Sequence, residues 1–313
     1  MYDFERPLKI GIRGSVLAQT QTQLVVDKLQ EKFPNLNVEI VIIKTSGDWK
    51  KSQGEIRLSE VEGGKGLFIK EIEHNIIEGT IDCGVHSMKD VPTFLLPNMG
   101  VDHVIERGSP YDAFVSNKYK SIEELPKGAV IGTASTRRQA ILKHMRPDLQ
   151  TTIIRGNIDT RLAKLDEGQA DALILAVTGL ERIQRDHRIA KIFTMEEMLP
   201  ACGQGTLSIE TKKDDVAVRS LFDAIHHRAT GLCTVAERSA LEALDGSCQT
   251  PIGCFATLNG HEMTLRCAVY EEDGSKHYYE ETTATITTTK QAHDLGFALG
   301  SKIKPRAPKT LFA

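Results

Sequence analysis

The sequence predicts two α/β domains followed by a smaller α+β domain, and three observations predict it. Short apolar runs alternate with helical periodicity from residue 8 onward, the pattern of β-α-β units and parallel sheets. A second alternating set begins near residue 128. From 224 onward the order changes to a long helix, then strand-like runs, then a last helix. A length of 313 residues suits two domains, or three small ones, at about 150 residues each.

In chain order, LKIGI (8–12) reads as a strand. A helix is predicted from about Ser15 to Phe33, with Leu17, Val25, Leu29 and Phe33 at helical spacing. NVEIVII (37–43) is the next strand. From Thr45 to Gly66 five glycines (47, 54, 63, 64, 66) stand among many charges with little periodicity, and the stretch reads as a long lid loop. LFIKEIEHNIIEG is helical, and DCGVHS is a strand running into MKDVP. GAVIGT (128–133) is a strand and STRRQAILKHM (135–145) a helix. TTIIRG is a strand, TRLAKLDEG a helix and DALILAVTGL (171–180) a buried strand. In the last region TVAERSALEALDG is helical, with Thr234 and Glu237 spaced as a capping box. Strand-like runs at 262–270 and 276–287 follow, then the helix QAHDLGFALGSKIK.

Hydrophobic content of 40% and charged content of 26% are ordinary for a globular protein. A net charge of −3 with 5% aromatics argues against a nucleic-acid partner. No apolar run approaches the ~18 residues of a membrane span, and the start lacks a signal-peptide pattern, so a cytoplasmic protein is expected. Six cysteines (83, 202, 233, 248, 254, 267) include no C-x-x-C pair. They read as free thiols, and no metal is expected. His226 and His227 lack partners at metal-ligand spacing. Cys248 differs from the rest. It stands in DGSCQTPIG, which has loop composition rather than core composition.

The cationic and hydroxyl residues are placed unevenly. Arg13 ends a strand just before Ser15 opens a helix. Thr133, Ser135, Arg137 and Arg138 cluster at another strand-to-helix turn, and Arg155 and Arg161 at a third. In parallel α/β folds the carboxyl ends of strands line the ligand crevice, helix N-termini there favour anions, and Arg presents a fork suited to carboxylate or phosphate. A single Arg of this kind is a solvated helix-face charge more often than not. Repetition at three equivalent strand ends points to a crevice for a polyanionic ligand. HSMKDVP (86–92) also ends a strand, placing Asp90 beside Lys89 before a Pro-fixed extended backbone. A carboxylate there suits acid, base or counter-ion work. An ordinary Asp before a turn, and a satisfied strand histidine at His86, are the plain alternatives. GGKG (63–66), with Lys65, fails the phosphate-loop pattern.

Taken together and in order, GGKGLFIKEIE, DCGVHSMKDVP, GTASTRRQ, IIRGNIDTRLAKL, LPACGQG and AERSALEALDGSCQTPIG closely resemble the porphobilinogen deaminase (hydroxymethylbilane synthase) family of tetrapyrrole and heme biosynthesis. The resemblance runs from about residue 8 to 270. It implies two type II periplasmic-binding-protein-like domains plus a small α+β C-terminal domain, with crossings near 104 and 205. The expected boundaries are 1–104 with 205–223 for domain 1 (lid loop 45–66), 105–204 for domain 2 and 224–313 for domain 3. It implies a transferase that joins four porphobilinogen molecules head to tail, losing ammonia each time, and releases linear hydroxymethylbilane by water. The chain would grow on a dipyrromethane cofactor held by a thioether, for which the matching residue is Cys248.

By the same motif match, Asp90 is the catalytic aspartate. Arg13, Ser15, Lys89, Thr133, Ser135, Arg137, Arg138, Arg155, Arg161 and Arg182 would bind the acetate and propionate groups of the pyrroles. Lys65 belongs to the lid motif, and Gln204 matches a position near the substrate. The family also implies a monomer. The chain departs from the pattern at Val16, Ala134, Thr136 and in TSGD (45–48), where the family more often has Pro, Ser, Leu and an Arg. A non-enzymatic anion-binding protein of the same two-lobed fold is the alternative. Asp90 and Cys248 separate the two, since a simple binder needs neither.

Overall fold

The first strand, β1 (Leu8–Arg13), buries Leu8, Ile10 and Ile12 completely and ends at the half-buried Arg13. The structure is a computed structural model and describes residues 2–44, 69–247 and 250–312. The expected lid loop with Lys65 and the expected anchor Cys248 therefore lie outside the described residues.

After β1, Ser15 caps α1 (Val16–Lys32), its hydroxyl accepting from Ala18 N at 3.2 Å. The helix turns Val25, Val26 and Leu29 into the core. Then come β2 (Val38–Ile43), α2 (Lys70–Glu78), β3 (Cys83–Ser87) and β4 (Met99–Val104). The chain crosses into a second set: β5 (Asp112–Val115), β6 (Val130–Gly132), α3 (Thr136–Met145), β7 (Gln150–Thr152), α4 (Ile158–Asp166), β8 (Ala172–Ala176), α5 (Val177–Arg182) and β9 (Lys191–Ile192). It returns through β10 (Leu207–Lys212) and α6 (Val216–Asp223), and finishes with α7 (Arg228–Ala243), β11 (Ile252–Asn259), β12 (Glu262–Tyr270), β13 (His277–Thr285) and α8 (Thr289–Ile303).

Two five-stranded sheets share one strand order, β2-β1-β3-β10-β4 and β7-β6-β8-β5-β9. In each, four strands point the same way and the fourth position is filled by one antiparallel strand, β10 after the return crossover in the first sheet and β5 just after the outgoing crossover in the second. This is the expected pair of α/β lobes. The carboxyl ends of the parallel strands lie along one edge of each sheet. The antiparallel sheet β11-β12-β13 packs on α7 and α8 to form the small third unit. Its Phe255, Ala268 and Tyr270 join the core of the second lobe beside Phe114, Met198 and Leu199.

The crossovers run side by side, and Gly108 N donates to Gly205 O at 3.2 Å. A Cβ on Gly205 would meet Gly108 O at 2.6 Å, and its φ of 90° lies in the left-handed region, so glycine is required where the two segments touch.

Several sequence expectations shift. The run 171–180 is a strand only to Ala176, where the chain turns into α5. Helix α7 begins at Arg228 behind an N-cap at His227, not at Thr234. Thr234 and Glu237 therefore form no capping box; both are buried mid-helix, and Glu237 is an ion-pair partner. The S/T-x-x-E spacing is a local signal, and the helix had already been set by an earlier cap. A capping box does open α8, between Thr288 and Gln291. β11 had no sequence expectation, because its Gly and polar residues obscure the alternation of a strand buried over its first five residues.

Candidate functional site

Each strand end named from the sequence becomes a strand-to-helix turn. Beside Ser15, Ser135 caps α3 by accepting from Arg138 N at 3.4 Å, and Asn157 caps α4 by accepting from Thr160 N at 2.8 Å. These helix N-termini carry favourable dipoles for anions. Thr133 is buried at the end of β6, and its hydroxyl accepts from Ser135 N at 3.3 Å. Arg155 is buried beyond β7, and its carbonyl accepts from Lys164 Nζ at 2.9 Å. Arg161 Nε donates to Gly156 O at 2.8 Å. Helices α1 and α5 come into contact from opposite lobes.

A continuous polar chain links the lobes. Lys89 Nζ donates to Gln204 Oε1 at 3.2 Å, and Gln204 Nε2 donates to Asp112 Oδ1 at 2.9 Å. Asp112 is fully buried and accepts from Arg137 Nη2 at 2.8 Å and from Arg138 Nη2 and Nε at 2.6 and 3.1 Å. Burial alone would raise its pKa, but the two guanidiniums and the Arg138 and Gln204 hydrogen bonds hold it well below the usual carboxylate range. Arg137 Nη1 also donates to Leu199 O, and Arg138 Nη1 to Ile174 O. Arg137 Nε is buried without a hydrogen-bond partner. One carboxylate shared by two guanidiniums leaves this network positive. Desolvation, reinforced by the Arg138 charge, lowers Lys89 to about 8.

The turn Met88–Asp90 follows β3. Met88 and Val91 are buried while Asp90 between them is exposed, so the carboxylate stands out from a turn held on both sides. Met88 N donates to Thr206 O and Val91 N to Met88 O, which ties the turn to the returning chain. At the crossover, Arg107 pairs with the fully buried Glu237 at 2.5 Å and donates to Gln204 O at 2.8 Å. Glu237 also accepts from Gly203 N and Ala256 N. Arg182 Nη2 donates to Gly205 O at 2.9 Å, and burial lowers its pKa to about 10.

Asp112 and Arg107 were not singled out from the sequence, and Glu237 was read only as half of a capping box. Asp112 did leave a signal, since an acid opening the apolar strand DAFV must find a partner once buried. A second buried cluster was also missed. His86 Nε2 lies 2.8 Å from Glu210 Oε2, and Glu73 beside them is raised to about 7 by burial and by the Glu210 carboxylate. Among the described residues no group of His, Cys, Asp and Glu is arranged to hold a metal, and no helix is long and apolar enough to cross a membrane. The described cysteines, 83, 202, 233, 254 and 267, form no disulfide. Burial pushes the Cys233 thiol up to about 12 and raises Cys83 and Cys202 as well, and a hydrogen bond with Cys267 together with burial raises Cys254, which makes them poor nucleophiles.

Comparison with known proteins gives two family matches. The family model described as porphobilinogen deaminase, dipyromethane cofactor binding domain, matches residues 8–220, and that described as porphobilinogen deaminase, C-terminal domain, matches 231–305. Among solved structures, a putative methionine-binding lipoprotein from Bacillus subtilis is 10% identical, with 73% of this chain and 93% of that one covered at a TM-score of 0.44. The periplasmic VFT2 domain of Bordetella pertussis BvgS is 13% identical over 70% of this chain and 86% of that one, at 0.42. Immunogenic lipoprotein A from Vibrio vulnificus is 12% identical over 71% and 96%, at 0.43.

Proposed function

The chain belongs to the porphobilinogen deaminase family, and from that premise we propose how its own residues carry out the chemistry of a tetrapyrrole-biosynthesis transferase. The reaction is the hydroxymethylbilane synthase reaction: four porphobilinogen molecules are joined head to tail with loss of ammonia, and the linear product is released by water. The observation that carries this reading is the exposed Asp90 carboxylate on a braced turn, next in sequence to the Lys89 that enters the cationic network.

The family's cofactor is dipyrromethane. The residues present suit such a group: the network is net positive, Arg137 Nε is a buried donor without a partner, and helix N-termini stand at the same strand ends. When bound, dipyrromethane supplies a covalent primer whose free pyrrole carbon is the nucleophile for the first addition. Cys248 would hold it by a thioether. Arg13, Ser15, Lys89, Thr133, Ser135, Arg137, Arg138, Arg155, Arg161 and Arg182 would bind the acetates and propionates, with Gln204 orienting Lys89 and Lys65 reaching in from the lid motif. Loss of ammonia from the substrate's aminomethyl group leaves positive charge spread onto its pyrrole nitrogen. Asp90 would stabilise that charge and take up the proton released when the new bond forms. Asp112 balances Arg137 and Arg138 without cancelling them.

We assign residues 1–104 with 205–223, 105–204 and 224–313 as the three domains, and read the protein as a cytoplasmic monomer. Intact-protein mass tests the function. The wild type should carry the added mass of one dipyrromethane and turn over porphobilinogen, and Cys248→Ala should carry none and be inactive. Active wild-type protein at unmodified mass, or active Cys248→Ala, would overturn the covalent primer at Cys248, and unmodified wild type without turnover would return the balance to a simple anion binder.

A further inference from the structure

The turn that carries Asp90 is gripped by the C-terminal unit. The residues after Asp90 give three successive carbonyls to one guanidinium: Arg238 Nη1 donates to Val91 O at 3.4 Å, and Nη2 donates to Pro92 O at 2.8 Å and Thr93 O at 3.2 Å. Arg238 stands on α7, one residue after the Glu237 that holds the crossover. Among the described residues no carboxylate hydrogen-bonds it, and burial lowers its pKa. Its charge is therefore directed at main-chain dipoles, which satisfy the donors of a desolvated guanidinium.

A second link runs from the same segment. Thr93 Oγ1 donates to Gly246 O at 2.7 Å. Gly246 follows the end of α7, its N–H donating to Leu241 O at 2.9 Å, and stands two residues before Cys248. Packing alone does not fix this segment. A cavity of about 190 Å³ lies against it, lined in part by Met88, Thr93, Val101, Thr234 and Arg238, and Thr234 Oγ1 there is buried without a partner. Val91 is fixed by packing against Met88, Val101 and Val104, and beyond it, with space on that side, the hydrogen bonds from Arg238 and Thr93 hold residues 92–93.

We propose that Arg238 and Thr93 are positioning residues that clamp the Asp90 turn to the end of α7, and so fix the place of the reacting carboxylate against Gly246, two residues before Cys248 in the sequence. This rests on the roles given above to Asp90 and Cys248. Bond formation between two anchored partners is sensitive to their spacing, and a misplacement near 1 Å costs on the order of 100-fold in rate.

The test compares Thr93→Val, which exchanges the hydroxyl for a methyl, with Thr93→Ser, which keeps it, in the full-length holoenzyme. Porphobilinogen turnover and cofactor mass are measured on both. Thr93→Val should keep the added mass and a KM within about two-fold while kcat falls about ten-fold, a partial loss of that geometry. Thr93→Ser should recover kcat to within about two-fold of wild type. Arg238→Lys, which keeps the charge but not the fork, should likewise lower kcat more than it changes KM. If the Arg238 variant does not fold, the Thr93 pair decides.

Wild-type kcat in Thr93→Val, an equal loss in the Val and Ser variants, or a raised KM at unchanged kcat would each overturn the clamp while leaving the functional reading intact. A wild type with neither added mass nor turnover overturns that reading and the clamp together.

Discussion

Replacing Asp112 by Asn tests whether the buried network holds the second lobe together. The carboxylate accepts four hydrogen bonds on its two oxygens, three of them from guanidiniums. Asn is nearly isosteric, but it offers one acceptor oxygen and turns the other position into a donor facing an N–H. Hydrogen bonds to charged groups contribute about 1.5–3 kcal/mol each, and breaking one side of a buried ion pair typically costs ~3–5 kcal/mol. Losing at least one guanidinium contact and leaving Arg137 and Arg138 without a counter-charge places Asp112→Asn near ~4 kcal/mol less stable at neutral pH.

The pH dependence has a definite sign. The folded pKa of Asp112 is depressed, so its contribution is present above the unfolded carboxylate value near ~3.9 and is lost as pH falls through the lower folded value. Chemical denaturation followed by far-UV circular dichroism should show a gap between wild type and variant that is flat from pH 7 to about 5 and closes only below about 4. A gap under about 1 kcal/mol at pH 7, or one that closes already between pH 7 and 5, would refute the reasoning.

Two further outcomes follow from the same structure. Asp90→Asn should fold like the wild type, because the side chain is exposed, and should lose turnover by on the order of 100-fold or more; near-wild-type rates would remove Asp90 from the chemistry. Glu73→Gln tests the cluster with His86, Glu210 and the neighbouring Lys70. The folded pKa of Glu73 is raised to about 7, so its favourable contribution is complete below about 4.5 and is lost as pH rises through about 7. The Gln variant should therefore gain on the wild type as pH rises from 5 to 8, by at most ~3 kcal/mol for a shift of that size. Parallel stability curves across that range would sink the assignment.

The alternation of strands and helices was legible because it is local: each turn from strand to helix carries its own cap, as Ser15 and Ser135 do. The charges at those ends were legible for the same reason. Their partners were not. Asp112 is 25 and 26 residues from Arg137 and Arg138 and 92 from Gln204, and Arg107 is 130 residues from Glu237. No periodicity carries pairings of that span: the strand order of the second sheet brings Asp112 to Arg137 and Arg138, and the crossovers bring in Gln204, Arg107 and Glu237. Glu237 shows the limit most directly. Its spacing from Thr234 mimics a helix start, while its burial and its four contacts, to Arg107 (twice), Gly203 and Ala256, come from three distant segments.

On the roles proposed above for Arg137 and Arg138, the network would let an acidic chain keep guanidiniums ready for a ligand that gains carboxylates at each addition. Arg137 is 3% exposed, and an isolated charge buried that far is strongly disfavoured. Pairing each arginine with its own acid would solve the burial problem and leave no attraction for an incoming carboxylate. One acid between two arginines solves it differently. Asp112 holds both forks, Leu199 O and Ile174 O take further donors, and the pair retains a net positive charge together with one N–H, at Arg137 Nε, that no atom of the described residues uses. Such a site needs little rearrangement when a carboxylate arrives, which is where electrostatic preorganisation gains its strength. On those roles Asp112 would act on ligand binding through Arg137 and Arg138. Asp112→Asn should therefore weaken porphobilinogen elongation even at temperatures where the variant is fully folded.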